Sequence, residues 1–448
     1  MKARFPASGV LGIDGQRREG TTLPMADLDK ITEDFSTTPV PAEKTVSGLR
    51  IALILIGVSI ALPAFLTGVQ IGDALGLKSA LIAFVAGGLI LAAVSSFAAI
   101  VGAESHFSTY MLVQFAFGSK GARIVNAVFT TTLFGWFGVN AALFGDAMTA
   151  SVSSLYNFTG GWPVYVVIGS LLMVLTTLFG FKALDRLSQL AVPLLLLILI
   201  GVMAMAVRQA NPDALFSEGP RTMSLGLAIS AVAGGIMVGA ATMPDLTRYA
   251  KSRKGAVIAM FVAYGLGAPL ILACAAIPSL VTGEKDLMQI ILGLGLGVPA
   301  LFVLIFSTWT SNAANLYSAG LSLAATFKRI RPWRLTLSAG ILGIVVALSG
   351  IIDFFVPFLI SLGVLIPPIA AIYVVDFLFV VRRRYDLKDI DTRPAFRWQA
   401  FVSWIAGSAV GFATAKGLLT LTTISACDAL IVSGGVFYLL ERYGPRAD

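Results

Sequence analysis

The 448 residues are 57% hydrophobic and 12% charged, with a mean hydropathy of +0.87, whereas soluble domains carry roughly 25% charged residues. This balance excludes a water-soluble globular domain and makes a lipid bilayer the solvent for most of the surface. The net charge of +8 comes from basic residues placed between apolar runs, which points to membrane topology rather than to nucleic acid.

Residues 1–48 are polar, rich in charge, Thr and Pro, and lack the apolar core of a signal peptide. They are expected to form a mostly disordered tail, with the first span acting as insertion signal. Apolar runs long enough to cross hydrocarbon, about 20 residues each, then fall at twelve places. They lie near 51–74, 78–102, 122–149, 162–180, 184–207, 222–246, 255–279, 288–326, 335–350, 353–381, 399–417 and 425–441. The eighth window includes a short helix before the span proper, and the polar stretch from Glu104 to Lys120 predicts a short interfacial helix. This divides the chain into a tail (1–48), a ten-helix core (49–381), a basic loop (382–398) and two C-terminal helices with a short tail (399–448).

Every even-to-odd connection is basic. Lys120 and Arg123, Lys182 and Arg186, Arg248 to Lys254, Lys328 to Arg334, and Arg382 to Arg397 mark five such loops, and the intervening loops are poor in Lys and Arg. The positive-inside rule then places both termini in the cytoplasm, in a plasma membrane of bacterial inner-membrane type.

Two spans carry interruptions. The first holds Gly57, Ser59 to Pro63 and Thr67-Gly68; the sixth holds Ser230, Gly234-Gly235, Gly239 and Pro244. They are the opening members of two five-span halves entering from oppositely charged sides, as in an inverted repeat whose broken helices bind solutes and ions. Trp136 lies mid-span in the third window, away from the interfacial belt where tryptophans usually sit. It is either core packing or a flat platform for a planar ring. The eighth window concentrates Ser307, Thr308, Thr310, Ser311, Asn312 and Asn315 at membrane depth. Such a run needs polar partners, either in neighbouring helices or in a wet cavity.

Ionisable residues are scarce in the spans. Asp73, Asp146 and Asp353 fall near outer ends, and Asp185, Asp245 and Asp376 near inner ends. His106, beside Glu104, is expected to cap or pair locally rather than bind metal. Cys274 and Cys427 lie in apolar surroundings, which favours buried free thiols over a disulfide. No acid, base or nucleophile cluster suggests an enzyme, no filter sequence suggests a channel, and no cofactor is expected beyond a coupling ion. A site without fixed charge suits a neutral ligand.

Gly135-Trp136-Phe137-Gly138, the stretch Thr310-Ser311-Asn312 to Asn315-Leu316-Tyr317-Ser318-Ala319-Gly320-Leu321, and Pro367-Pro368-Ile369 with Asp376 and Arg382 resemble the nucleobase–cation symporter family. Phe117-Gly118, Lys120-Gly121, Asp245 and Arg248-Tyr249 fit the same pattern, which is most similar to the cytosine-permease branch. The resemblance implies an all-α membrane protein with twelve transmembrane helices: a five-plus-five inverted repeat of leucine-transporter type and two additional C-terminal helices. It implies sodium-coupled import of a small nitrogen heterocycle by alternating access. It also implies that Trp136 stacks on the ring, that Asn312 hydrogen-bonds it, and that backbone at Gly235 and Ile236 borders it. A sodium ion would take carbonyls near Gly57 and Ala61 and hydroxyls of Thr310 and Ser311. Leu133, Ser307 and Asn315 complete the substrate-binding set. Leu133 stands where the branch usually has glutamine, Ser307 where it has asparagine, and Ile236 where it has an aromatic. These departures remove groups that would read a base edge. They leave open a purine, a pyrimidine, a hydantoin or allantoin, or a thiamine precursor; the alternative to sodium is the same fold coupled to protons. Oligomeric state is not legible.

Overall fold

The computed structural model describes residues 35, 38–158, 160–211, 215–216, 218–285, 287–351, 355–388, 390 and 393–444. Among these residues the architecture is helical, and its one β-bridge joins Val46 to Ala250. Helix occupies each of the twelve apolar windows. Among the described residues five helices are long and apolar enough to cross a bilayer: α3 (Leu77–Ser105), α5 (Gly121–Tyr156), α7 (Phe181–Gln209), the run of α11 (Arg253–Met260), a π-turn (Phe261–Gly267) and α12 (Ala268–Thr282), and α14 (Gly297–Thr326). The pair α1 (Gly48–Ser59) and α2 (Leu62–Leu75) makes a sixth if taken as one span bent by 69°.

Shorter segments complete the bundle. They are α4 (Thr109–Phe117), α6 (Trp162–Thr177), α8 (Leu225–Gly235), α9 (Met237–Ala241), α10 (Pro244–Thr247) and α13 (Leu287–Gly293). After α14 come α15 (Pro332–Leu348), α16 (Phe355–Val375, continuing as a π-turn over Asp376–Val380), α17 (Trp398–Ala415) and α18 (Ser425–Tyr443). The short helix expected before the eighth span is α13, and the sixth window is broken at Ile236 and again at Thr242.

Glu104, at the end of α3, pairs with Arg253 at 3.5 Å and Arg383 at 2.9 Å. Arg50 of α1 pairs with Asp185 of α7, and the Phe181 and Tyr249 rings stack at 3.8 Å. Asn126 of α5 bonds Thr326 of α14 at 3.4 Å. The basic connections are thereby gathered at one end of the bundle. At the other, Lys285 pairs with Asp73 at 2.8 Å and Ser230 donates to the Thr423 carbonyl at 3.2 Å. Cysteines introduced at Lys254 and Arg331 should therefore label from one face, the cytoplasmic one by the charge rule. Cysteines at Gly283 and Asn157 should label from the opposite face. Impermeant-reagent labelling of all four from one side would end this topology.

One stretch expected at the membrane surface, and the end of a segment expected to be a mostly disordered tail, are instead packed against the bundle. All nine residues of α4 are buried, so this helix is not interfacial. Its cover is the 382–397 loop. Arg393 and Arg397 both donate to the Phe115 carbonyl, at 2.7 and 2.9 Å, and the Tyr385 ring stacks on Phe115 at 4.0 Å. Asp376 holds that loop by accepting from Tyr385, Arg393 and Arg397, and Arg397 reaches on to Glu441 of α18. Burial and the neighbouring Asp376 carboxylate push the Tyr385 phenol well above its ordinary range, so it stays a donor.

The second stretch is the end of the N-terminal segment. Residues 1–34, 36 and 37 lie outside the described residues, but from Thr38 the chain forms a strap across the basic end. Val40 donates to the His106 carbonyl at 3.1 Å, and Val46 exchanges bonds with Tyr249 and Lys251 at 2.7 and 3.0 Å. Val40 and Val46 are buried. His106 caps α3 in a left-handed conformation, and its Nδ1 bonds the Arg248 carbonyl at 2.7 Å. Its partner is thus remote in sequence rather than local. Cys274 and Cys427 are buried free thiols. Asp353 lies outside the described residues.

Candidate functional site

The break in α1 follows from its residues. Pro63 has no N–H to give the carbonyl four residues back, at Ser59, and its ring would clash with that carbonyl, so α1 stops at Ser59, Ala61 turns extended (φ −136°, ψ 152°) and Pro63 sits in the first turn of α2. The last carbonyls of a helix have no partner within it. Here the Ile56 carbonyl is taken by the Ile60 amide, and the Ala61 amide turns to Ser59. The carbonyls of Gly57 and Val58 therefore look outward.

Both find hydroxyls of α14. Thr310 Oγ1 lies 2.9 Å from the Gly57 carbonyl, and Ser311 Oγ donates to the Val58 carbonyl at 3.1 Å. Thr310 Oγ1 also lies 3.0 Å from the carbonyls of Phe306 and Ser307. One hydroxyl proton thus serves three acceptors. A surplus of oxygen lone pairs over protons, at the negative end of a helix dipole, is a favourable setting for a small hard cation, which takes oxygen ligands.

Glycine at 57 is what permits this approach. A Cβ there would stand 2.8 Å from Val192 and 3.4 Å from the Thr310 Cβ, with Ser188 Oγ at 3.6 Å. Ser188 of α7 is buried beside these oxygens.

The structure brings Gly57, Thr310 and Ser311 together. It leaves Ala61 with its own helix, because the Ala61 carbonyl accepts from the amides of Ala64 and Phe65 at 2.9 and 3.2 Å.

On the side toward α5, Asn312 is fully buried and donates to the Phe137 carbonyl at 3.0 Å, while its Oδ1 accepts from Asn315 at 3.3 Å. Asn312 therefore links α14 to the residue after Trp136. Trp136 itself is half-buried against the core, and Leu133 one turn earlier is buried. Ser307 is buried and turned to the Leu304 carbonyl of its own helix at 3.4 Å. Asn315 is half-buried. Gly138 sits where α15 closes on α5, since a Cβ there would meet Val346 at 2.6 Å. It leaves no room for a ring.

Gly235 and Ile236 stand apart. Among the described residues no α14 side chain bonds them. Gly234 and Gly235 have open space where side chains would be, with no heavy atom within 4 Å. Ile236 (φ −113°, ψ 6°) ends α8. The arrangement is thus an oxygen cluster joining α1 and α14, an amide bridge joining α14 and α5 beside Trp136, and an unfilled flank at the broken sixth span.

The Val58 and Phe137 carbonyls, Ser188, and the Trp309 indole that donates to Thr176 at 2.9 Å were not picked out from sequence. Backbone carbonyls carry no residue signature. The adjacency of Ser311 to Thr310 is the one available hint that the acceptor next to Gly57 is also engaged.

Comparison with known proteins gives the family and the fold. The family described as permeases for cytosine/purines, uracil, thiamine and allantoin matches residues 39–436. The cytosine permease of Escherichia coli strain K12 is 29% identical over 380 residues, covering 84% of this chain and 88% of its own. The hydantoin permease of Microbacterium maritypicum is 25% identical over 433 residues, covering 89% and 85%. In three dimensions the chain is similar to Mhp1, a nucleobase-cation-symport-1 family transporter solved closed with bromovinylhydantoin bound. The TM-score is 0.77 at 21% identity, covering 92% of this chain and 96% of that one. A Na+-coupled sialic acid symporter shares the fold at a TM-score of 0.68 and 13% identity, covering 93% and 95%. The chain is a membrane transporter and belongs to the permease family for cytosine/purines, uracil, thiamine and allantoin.

Proposed function

We propose that the chain is a sodium-coupled importer of a small neutral nitrogen heterocycle, working by alternating access with twelve spans, a five-plus-five inverted repeat and both termini cytoplasmic. The observation that carries the coupling is the oxygen cluster of Gly57, Val58, Thr310 and Ser311, in which acceptors outnumber protons at the end of a broken span. Unwound backbone in such spans is a recurrent cation ligand. Trp136 offers the aromatic face, Asn312 and Asn315 the amides, and the backbone at Gly235 and Ile236 would border the ring. The relatives named for cytosine and hydantoin support a heterocycle. Leu133 and Ser307, which bring no amide, favour a ring with fewer polar edge atoms to satisfy than cytosine, because an unpaired buried polar group costs about 1–3 kcal/mol.

Purified protein in proteoliposomes decides the reading. An inward sodium gradient at constant pH is expected to drive accumulation of a labelled hydantoin or nucleobase, and counterflow should follow preloading. Accumulation that ignores sodium and follows a proton gradient would overturn the coupling. It would turn attention to Asp146, exposed at the far end of α5 from the basic loops, rather than to Glu104, which is held by two arginines.

A further inference from the structure

Away from the oxygen cluster, an apolar cavity of about 470 Å³ opens between α3, α9, α16 and α18. Its walls include Phe97, Ala240, Val374, Phe379, Ile431 and Gly435. Phe97, Phe379 and Ile431 are each more than half exposed, so the cavity opens sideways toward hydrocarbon. A dry cavity of about 150 Å³ accepts a benzene ring, and this one therefore holds roughly eighteen carbons, the size of a fatty acyl chain.

The end of the groove nearest the basic loops is built differently. Phe379 packs edge-on against Tyr438 at 6.3 Å, and the Tyr438 hydroxyl holds the Arg442 guanidinium at 2.7 Å. Arg442 also lies over the Tyr438 and Tyr443 rings. Arg382 follows Phe379 by three residues and is exposed. Among the described residues neither Arg382 nor Arg442 pairs with a carboxylate, whereas Arg383 does, with Glu104. An apolar slot of acyl-chain volume thus ends at an exposed arginine fixed on an aromatic ledge.

We propose that this groove is a binding site for one anionic phospholipid of the leaflet on the side of the basic loops. An acyl chain fills the slot and the phosphate-bearing headgroup sits on Arg442 and Arg382. The charge complementarity chooses the lipid. A zwitterionic headgroup gains less from two unpaired arginines, each of which contributes about a fivefold preference for an anionic surface. The wall formed by α9 is the inner half of the broken sixth span, so the bound chain contacts a helix next to Ile236. The site does not depend on which solute is carried.

The test is lipid retention on the purified full chain, read by native mass spectrometry from bilayers of equal phosphatidylglycerol and phosphatidylethanolamine. The wild type is expected to keep one phosphatidylglycerol per chain. R442Q should lower its retention about fivefold, and R382Q/R442Q further, toward parity between the two lipids. G435F should abolish retention of either lipid by filling the slot. It is expected to fold, since no heavy atom lies within 4 Å of the added Cβ, and an unchanged thermal midpoint in detergent checks this. Equal retention of both lipids by the wild type, or an R382Q/R442Q variant that keeps its phosphatidylglycerol, overturns the proposal. So do wild-type dimers that G435F dissociates, because a second copy would then occupy the groove.

Discussion

Replacing Thr310 and Ser311 together by alanine is expected to raise the sodium concentration needed for ligand binding at least about a hundredfold. Each hydroxyl would give a cation one oxygen, and a hydrogen bond or contact to a charged group contributes about 1.5–3 kcal/mol. Two of them amount to about 3–6 kcal/mol, where each 1.4 kcal/mol is a factor of ten. Ser311→Ala alone keeps the packing nearly unchanged and should shift the curve by the smaller, single-contact amount. The readout is a sodium titration of ligand binding to purified protein. At saturating sodium, ligand affinity should approach the wild-type value. A double variant whose sodium curve overlays that of the wild type would place the ion elsewhere.

Trp136→Ala is expected to weaken heterocycle binding at least about tenfold. Stacking contributes about 0.5–1.5 kcal/mol beyond burial, and truncation also removes apolar contact, so about 1.4 kcal/mol or more should be lost. Trp136→Phe keeps a flat face and should recover part of the loss. Trp404, whose indole is tied to the Leu365 carbonyl at 2.8 Å, should tolerate Phe with little change in affinity. The measurement is equilibrium binding to folded, purified protein, which separates a ring platform from a packing role that lowers only abundance. Wild-type affinity in well-folded Trp136→Ala would make Trp136 ordinary core.

These two sites differ in how readable they were. Thr310 and Ser311 announce themselves as hydroxyls in hydrocarbon, and Pro63 announces the break they meet, so their approach to Gly57 could be reasoned from residue types. Ala61 entered as a companion ligand only through the family resemblance. Its carbonyl instead begins α2, a distinction that depends on which amide reaches it first. Asn312 was legible as buried and polar, but not that its amide would be shared between Phe137 and Asn315. The burial of α4 was hidden because its cover comes from a loop more than 260 residues later. The strap was hidden because Val40 and Val46 are isolated apolar residues in a polar stretch, which have no periodicity to read. The helical windows came through well, since hydropathy over twenty residues averages out such local contingencies.

The strap has a mechanical implication. It runs without a joint into α1, and Gly48 lies so close to Gly255 that a Cβ would fall 2.2 Å from the Gly255 carbonyl. From Gly48 to Val58 the helix rises through ten steps, a stiff rod about 15 Å long at 1.5 Å per residue. Its near end is moored to His106, Tyr249 and Lys251, and its far end carries the two outward-looking carbonyls. Slack introduced at the mooring would reach those carbonyls as displacement of the whole rod. A fusion partner ahead of Phe35 leaves the mooring in place, whereas a chain that starts after Val46 casts it off and lets both carbonyls drift from Thr310 and Ser311.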